Sequence, residues 1–67
     1  MDDKQAKQAA KQLKAIFGDR MAANWAMVGA IRSATQAAAD CSAAGNEEGE
    51  DYWLGKASIA RQLQQHI

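Results

Sequence analysis

The residues best suited to chemistry in this chain are one cysteine, Cys41, and one histidine, His66. A catalytic site usually needs a nucleophile beside a base, or a metal held by several side-chain ligands. A tetrahedral zinc site takes four ligands, which one cysteine and one histidine do not supply. We expect His66, next to last in the chain, to be exposed, and Cys41 to be a small buried apolar residue. The sequence therefore predicts no catalytic residue, no metal site and no cofactor.

An acidic run in the second half of the chain, Glu47-Glu48-Gly49-Glu50-Asp51, offers carboxylates that a calcium ion could use. An EF-hand loop needs oxygen ligands at alternating positions and a glutamate at its twelfth position, and the run has neither. We interpret it as a segment that caps a helix and carries charge. No glycine-rich phosphate loop and no Ser-His-Asp set accompanies it, so we expect the protein not to be an enzyme.

A basic stripe near the start of the chain consists of lysines at every third or fourth position: Lys4, Lys7, Lys11 and Lys14. This spacing places the four side chains on one face of a helix, where they could track phosphates with steep salt dependence. No arginine or aromatic residue is interleaved, and the pattern of a helix-turn-helix is missing. A solvated helix face is the favoured interpretation. A dimeric nucleic-acid-binding regulator is the alternative, and a membrane-surface helix is a third possibility.

Helices are the only elements that the sequence predicts. Proline is absent, and alanine, glutamine, lysine and glutamate, all good helix formers, dominate. β-branched residues are scarce and never alternate with polar residues as they do in a strand. We expect one all-α domain over residues 1–67, a helical hairpin with an additional N-terminal helix that is completed by oligomerisation. The predicted helices cover about residues 3–17, 20–43 and 50–66.

Glycines mark the predicted helix ends. Gly18 suits a left-handed C-cap and Asp19 the N-cap of the next helix, although the pair could instead be a mild kink in one long helix. Gly45 is expected to end the second helix, and Asn46 or a nearby acid to cap the third. The second and third helices, similar in length and joined by a short loop, predict an antiparallel hairpin.

Each predicted helix has an apolar face, and the second has two. The face of the first helix carries Ala6, Ala9 or Ala10, Leu13, Ile16 and Phe17. On the second helix, one face includes Met21, Trp25 and Val28, and the other the small residues Ala22, Ala26 and Gly29 or Ala30. The stripe of the third helix is Trp53, Ala57, Ala60, Leu63 or Gln64, and Ile67.

The large apolar residues are concentrated on the hairpin, while half of the 48% hydrophobic content is alanine. Tyr52, Trp53 and Leu54 together span about 200° of the helix circumference, more than one packing face covers. Tryptophan and tyrosine are also enriched at interface hot spots. We therefore expect a non-enzymatic interaction module, an adaptor or inhibitor that binds a larger protein and forms a homo-oligomer. The expected contact residues are Met21, Trp25, Val28, Tyr52, Trp53 and Leu54. A three-helix bundle that buries them all is the alternative.

Charge is balanced overall but not along the chain. Residues 1–32 hold six basic and three acidic side chains, and residues 33–67 hold two basic and five acidic ones. This polarity could steer head-to-tail or antiparallel assembly, or could serve only to solvate two surfaces. A single cysteine, the absence of a signal peptide pattern and the absence of a long apolar stretch make the cytoplasm the expected location.

The C-terminal half, with Tyr52-Trp53 near the start of its last helix followed by Ile59-Ala60 and Leu63, resembles small co-chaperones of type III secretion needle subunits. In size and layout the chain is also similar to small phage-encoded inhibitors of bacterial regulators. The longer basic first helix departs from the co-chaperone pattern. These resemblances imply a small co-chaperone of a secretion or phage-encoded system, and they transfer no site residue.

Overall fold

Three α-helices make up the protein in the computed structural model, which describes residues 2–67. They are α1 (Asp3–Phe17), α2 (Arg20–Ala43) and α3 (Glu47–Gln65). The predicted fold class is confirmed: α2 and α3 form a helical hairpin, and α1 is an additional N-terminal helix. The bounds of α1 and α2 agree with the prediction. The third helix begins at residue 47 instead of 50 and ends at residue 65 instead of 66.

The boundary between α1 and α2 is a break and not a kink. Gly18 takes a left-handed conformation with φ of 88°, and its N–H donates to the Lys14 carbonyl at 3.0 Å. A residue with a side chain adopts this conformation only with strain, so glycine suits the position. The Asp19 carboxylate then accepts a hydrogen bond from the Ala22 N–H at 2.7 Å and caps α2. Both predicted caps are confirmed.

The hairpin loop explains the early start of α3. Gly45, just after the end of α2, has φ of 74° and prevents the helix from continuing. The Asn46 N–H donates back to the Cys41 carbonyl at 2.8 Å. The Asn46 side chain accepts from the Gly49 N–H at 3.0 Å, which makes Asn46 the N-cap. The glutamates at 47 and 48 therefore lie inside the first turn, where the helix dipole favours negative charge.

The two hairpin helices pack along their length, whereas α1 makes only small contacts with both. Gln64 Nε2 donates to Asn24 Oδ1 at 3.1 Å and joins the end of α3 to the start of α2. His66 Nε2 lies 3.9 Å from Asp3 Oδ1, which places the start of α1 at this same end of the hairpin. The prediction that His66 is exposed is wrong, because its side chain is half-buried beside the start of α1.

The core consists of alanines and one methionine: Ala6, Ala10, Ala23, Met27, Ala34, Ala38, Ala57 and Ala60. Among residues 2–67, no larger side chain is completely buried. Alanine lets two helix backbones approach closely, but each methyl group removes little apolar area from water. The fold is therefore held by close contact of helices and not by a volume of large side chains.

Two predicted helix faces do not pack as expected. On α2, the buried stripe of Ala23, Met27, Ala34 and Ala38 lies between the two predicted faces, because this stripe faces α3. On α1, the first two turns pack through Ala6 and Ala10, and Leu13 is half-buried. In the last turn, Ile16 and Phe17, predicted to lie on the inner face, are exposed, and Ile16 points about 100° away from the line of Ala6 and Ala10. Among residues 2–67, no helix combines the length and the apolar character that a bilayer crossing needs.

Candidate functional site

Met21 and Trp25 form an outer patch on α2. They are 72% and 66% exposed and lie one turn apart. At 100° per residue, Trp25 points about 160° away from Met27, the residue through which α2 faces α3. Ile16 and Phe17 are exposed at the end of α1, at the same end of the molecule. No neighbouring helix of the chain can cover the outer patch without a change in the fold.

A groove of about 380 Å³ runs between α2 and α3. Its apolar lining includes Met27, Ala30, Ala34, Trp53, Ile59 and Leu63. Met27 and Ala34 are buried and form the floor, whereas Trp53 and Leu63 are half-buried and Ile59 is exposed. The Lys56 side chain also lines the groove and is its cationic member. The groove is therefore an open apolar concavity with helix on both sides.

Tyr52 stands at the start of α3, on the same side of the helix as the groove residue Ile59 two turns later. Its ring meets the Trp53 ring edge to face, with centroids 5.1 Å apart and planes at 83°. Lys56 Nζ lies 5.2 Å from the Tyr52 centroid, within the range of a cation–π contact. Tyr52 remains 56% exposed, so these contacts orient its ring and do not bury it.

Five of the six predicted contact residues thus fall on three separate surfaces. Tyr52 and Trp53 lie together beside the groove, and Met21 and Trp25 lie on the outer patch. Helix geometry places Leu54, which is exposed, 100° beyond Trp53 on the other side of α3, and Val28 is half-buried. The two tryptophans are well separated along the hairpin: Trp25 is adjacent to Asn24, and Trp53 lines the groove with Ala34, about 14 Å farther along α2.

A second depression of about 460 Å³ lies where α2 begins and α3 ends. Its lining is Arg20, Met21, Asn24, Gln64 and Ile67. The hydrogen bond between Asn24 and Gln64 makes its lining partly polar, unlike the groove. Sequence reasoning assigned no contact role to Ile67, or to Met27 and Ile59 in the groove. Only the spacing of seven residues between Tyr52 and Ile59 could have linked Ile59 to the aromatic cluster.

The basic stripe of α1 and the acidic run of α3 lie at opposite ends of the molecule. Lys4, Lys7 and Lys11 are exposed, and Lys14 is half-buried. Within residues 2–67, no carboxylate approaches these lysines closely enough for an ion pair. The start of α1 adjoins the end of α3 through Asp3 and His66, whereas the acidic run adjoins the hairpin loop. The charge asymmetry of the sequence therefore becomes a polarity along the long axis, which measures 39 Å.

Cys41 lies near the end of α2, half-buried instead of fully buried as predicted. A Cβ built on Gly49 would come within 2.8 Å of the Cys41 Sγ, which shows how tightly α3 approaches α2 here. Nowhere in residues 2–67 do three or more histidine, cysteine, aspartate and glutamate side chains gather as metal ligands would.

The solvent-accessible surface of the chain is larger than that of a compact monomer of the same mass. The solvent-accessible area is 4735 Å², whereas a compact monomer of 7.2 kDa exposes about 4,100 Å². The radius of gyration is 13.0 Å, against about 11 Å for a compact domain of this length. Comparison with protein-family models, curated proteins and solved structures finds no match to the chain.

Proposed function

We propose that this protein is a non-enzymatic interaction module that binds a larger protein, modulates it as an adaptor or inhibitor, and self-associates. One observation carries the proposal: large apolar side chains that include Met21, Trp25 and Tyr52 are exposed, whereas the buried core consists of alanines and one methionine. A small co-chaperone of a secretion or phage-encoded system would be one such module.

The exposed aromatic residues support a binding role because the fold does not need them. Trp25 points away from α3, so its removal leaves the α2–α3 contact intact. Tyr52 is held by Trp53 and Lys56 in an exposed position, which lowers the entropy lost when a partner covers it. Tryptophan and tyrosine are among the residues most enriched at binding hot spots.

The outer patch gives the direct test of partner binding. Affinity capture with quantitative mass spectrometry would compare the wild type with Trp25→Ala and with Ser58→Ala, a control at an exposed polar site of α3. We expect a partner that the wild type and Ser58→Ala retain and that Trp25→Ala loses by at least about tenfold, the effect of one hot-spot residue. A partner set that Trp25→Ala, Tyr52→Ala and Leu54→Ala all leave unchanged would refute the proposal.

Nucleic-acid binding is the second candidate, because the lysine stripe of α1 has no carboxylate partner within residues 2–67. Replacing Lys4, Lys7, Lys11 and Lys14 with glutamine should abolish retention on heparin and binding to duplex DNA if this function exists. The matched control replaces Lys56 and Arg61 with glutamine. Equal behaviour of the two variants would exclude the stripe as a phosphate-binding surface.

A further inference from the structure

We infer that the α2–α3 groove binds a second copy of this chain. The two copies are related by a two-fold axis and run antiparallel. The inference rests on the proposed function and assigns an occupant to one of its surfaces. The product is a dimer in which the two hairpins pack face to face as a four-helix bundle and the outer patches stay accessible.

The groove is open because α1 covers only part of the hairpin side on which it lies. On α2, Ala22 and Ala26 are partly buried, while Ala30 and Ser33, farther along the same side, are exposed. A third helix of full length would cover all four positions. The uncovered part runs from Met27 to Ala34, about 10 Å, and is the length of two helical turns. This length accepts side chains from two turns of a helix of a second hairpin.

The surplus surface of the monomer matches what a dimer would bury. The chain exposes about 600 Å² more than a compact monomer of its mass, or about 1,200 Å² for two chains. Specific interfaces bury about 1,200–2,000 Å² in total. A dimer that buried this surplus would have an interface of ordinary size, extending from the groove onto the helix surfaces on either side of it.

Charge selects the antiparallel orientation. The hairpin loop end carries Glu47, Glu48, Glu50 and Asp51, and the other end carries the lysine stripe of α1. A parallel pair would place like charges together at both ends. An antiparallel two-fold pair places the acidic end of each copy beside the basic end of the other, which favours both encounter and register.

One helix-interior glycine fits an approaching backbone. Gly55 lies one turn before the groove residue Ile59, on the same side of α3. A Cβ added at Gly55 meets nothing within 4 Å, so no contact inside the chain requires glycine there. Glycine weakens a helix interior unless close packing compensates, and a second copy supplies such packing.

The test is sedimentation equilibrium of the purified full chain over a range of concentrations. We expect a wild-type dimer, and at least about tenfold weaker self-association for Ile59→Lys, because a charge enters the apolar groove. Met21→Lys, the matched control on the outer patch, should dimerise like the wild type. Both positions are exposed, and circular dichroism confirms that each variant keeps its helix content. Gly55→Ala should weaken the dimer while raising the helix content.

Orientation is measured by a spin label on Ser42→Cys in a Cys41→Ala background. Residue 42 lies about eleven residues, or 16 Å, from the centre of the groove, so antiparallel copies place the labels about 30 Å apart. Parallel copies would place them about one helix spacing, roughly 10 Å, apart. A short distance overturns the antiparallel arrangement.

A wild type that stays monomeric at the highest concentration overturns the inference, and so does a dimer that Met21→Lys dissociates and Ile59→Lys does not. Either result would assign the groove to a foreign helix or leave it without an occupant. Partner capture that depends on Trp25 is measured separately, so failure of the dimer is distinguishable from failure of the proposed function.

Discussion

At the scale of the residue, the decisive property is how small the side chains between helices are. Alanine fills the contact between α2 and α3, and near the loop the contact is closer still, because Gly49 faces the Cys41 sulfur. The same glycine donates its N–H to the Asn46 cap. Gly55, two turns later, has no such neighbour. The two glycines therefore differ in their physical role although both lie in α3.

Alanine substitution separates these roles. Gly55→Ala should stabilise the isolated fold by about 0.5–1 kcal/mol, since it only raises helix propensity. Gly49→Ala should lose this gain, because its Cβ would lie 2.5 Å from Asn46 Nδ2 and displace a cap that contributes about 1 kcal/mol. We expect Gly49→Ala to be less stable than Gly55→Ala by about 1–2 kcal/mol in urea unfolding. Equal stability of the two variants would contradict the close approach at the loop. The unfolding measurements should be made at a protein concentration low enough that self-association does not contribute to the free energy of unfolding.

The helix caps are the features at the residue scale that the sequence predicts best. Gly18 and Asp19 were predicted in their observed roles because a left-handed residue and a carboxylate acceptor are requirements of the local backbone alone. Exposure was less predictable. Ile16 and Phe17 continue the apolar pattern of α1, and nothing in their own sequence shows that no other helix covers them.

At the scale of the element, α1 differs from the hairpin. It presents only Ala6 and Ala10 as fully buried residues, and its contacts with α2 and α3 are small. Its last turn is apolar and exposed. We therefore expect α1 to be the least stable helix of the three and to undock before the hairpin unfolds.

Two substitutions in α1 test this order. Ala10→Gln places a long side chain at a position with no exposed surface, whereas Ala15→Gln makes the same change at an exposed position of the same helix. We expect Ala10→Gln to raise amide hydrogen exchange over residues 3–17 by about tenfold or more, because α1 detaches to relieve the overpacking. Exchange in α2 and α3 should change little. If Ala10→Gln instead melts all three helices together, α1 is part of one cooperative core.

At the scale of the whole molecule, the fold converts a charge difference along the sequence into opposite charges at the two ends of a 39 Å body. The proposed antiparallel pair depends on this polarity, so its affinity depends on salt. Raising monovalent salt from about 0.1 to 1 M shortens the Debye length from about 10 to 3 Å.

Sedimentation equilibrium at the two salt concentrations measures the effect. We expect the dissociation constant of self-association to rise by about three- to tenfold, because the facing acidic and basic ends are screened. The variant with glutamine at positions 4, 7, 11 and 14 should bind more weakly in low salt and should be nearly indifferent to salt. A wild-type constant that stays unchanged or falls would mean that apolar contact alone holds the pair.

The sequence by itself determined the helices, their caps and the hairpin, because each depends on propensity and on hydrogen bonds within a few residues. It also determined that large apolar side chains exceed what alanine-rich helices cover. Only the tertiary structure decided which sides face inward. The rotation of α2 that buries Met27 turns Trp25 outward, and the crossing of α1 at one end leaves the groove open. The rotation and crossing of each helix follow from packing among all three helices. The apolar periodicity of one helix alone does not specify this packing.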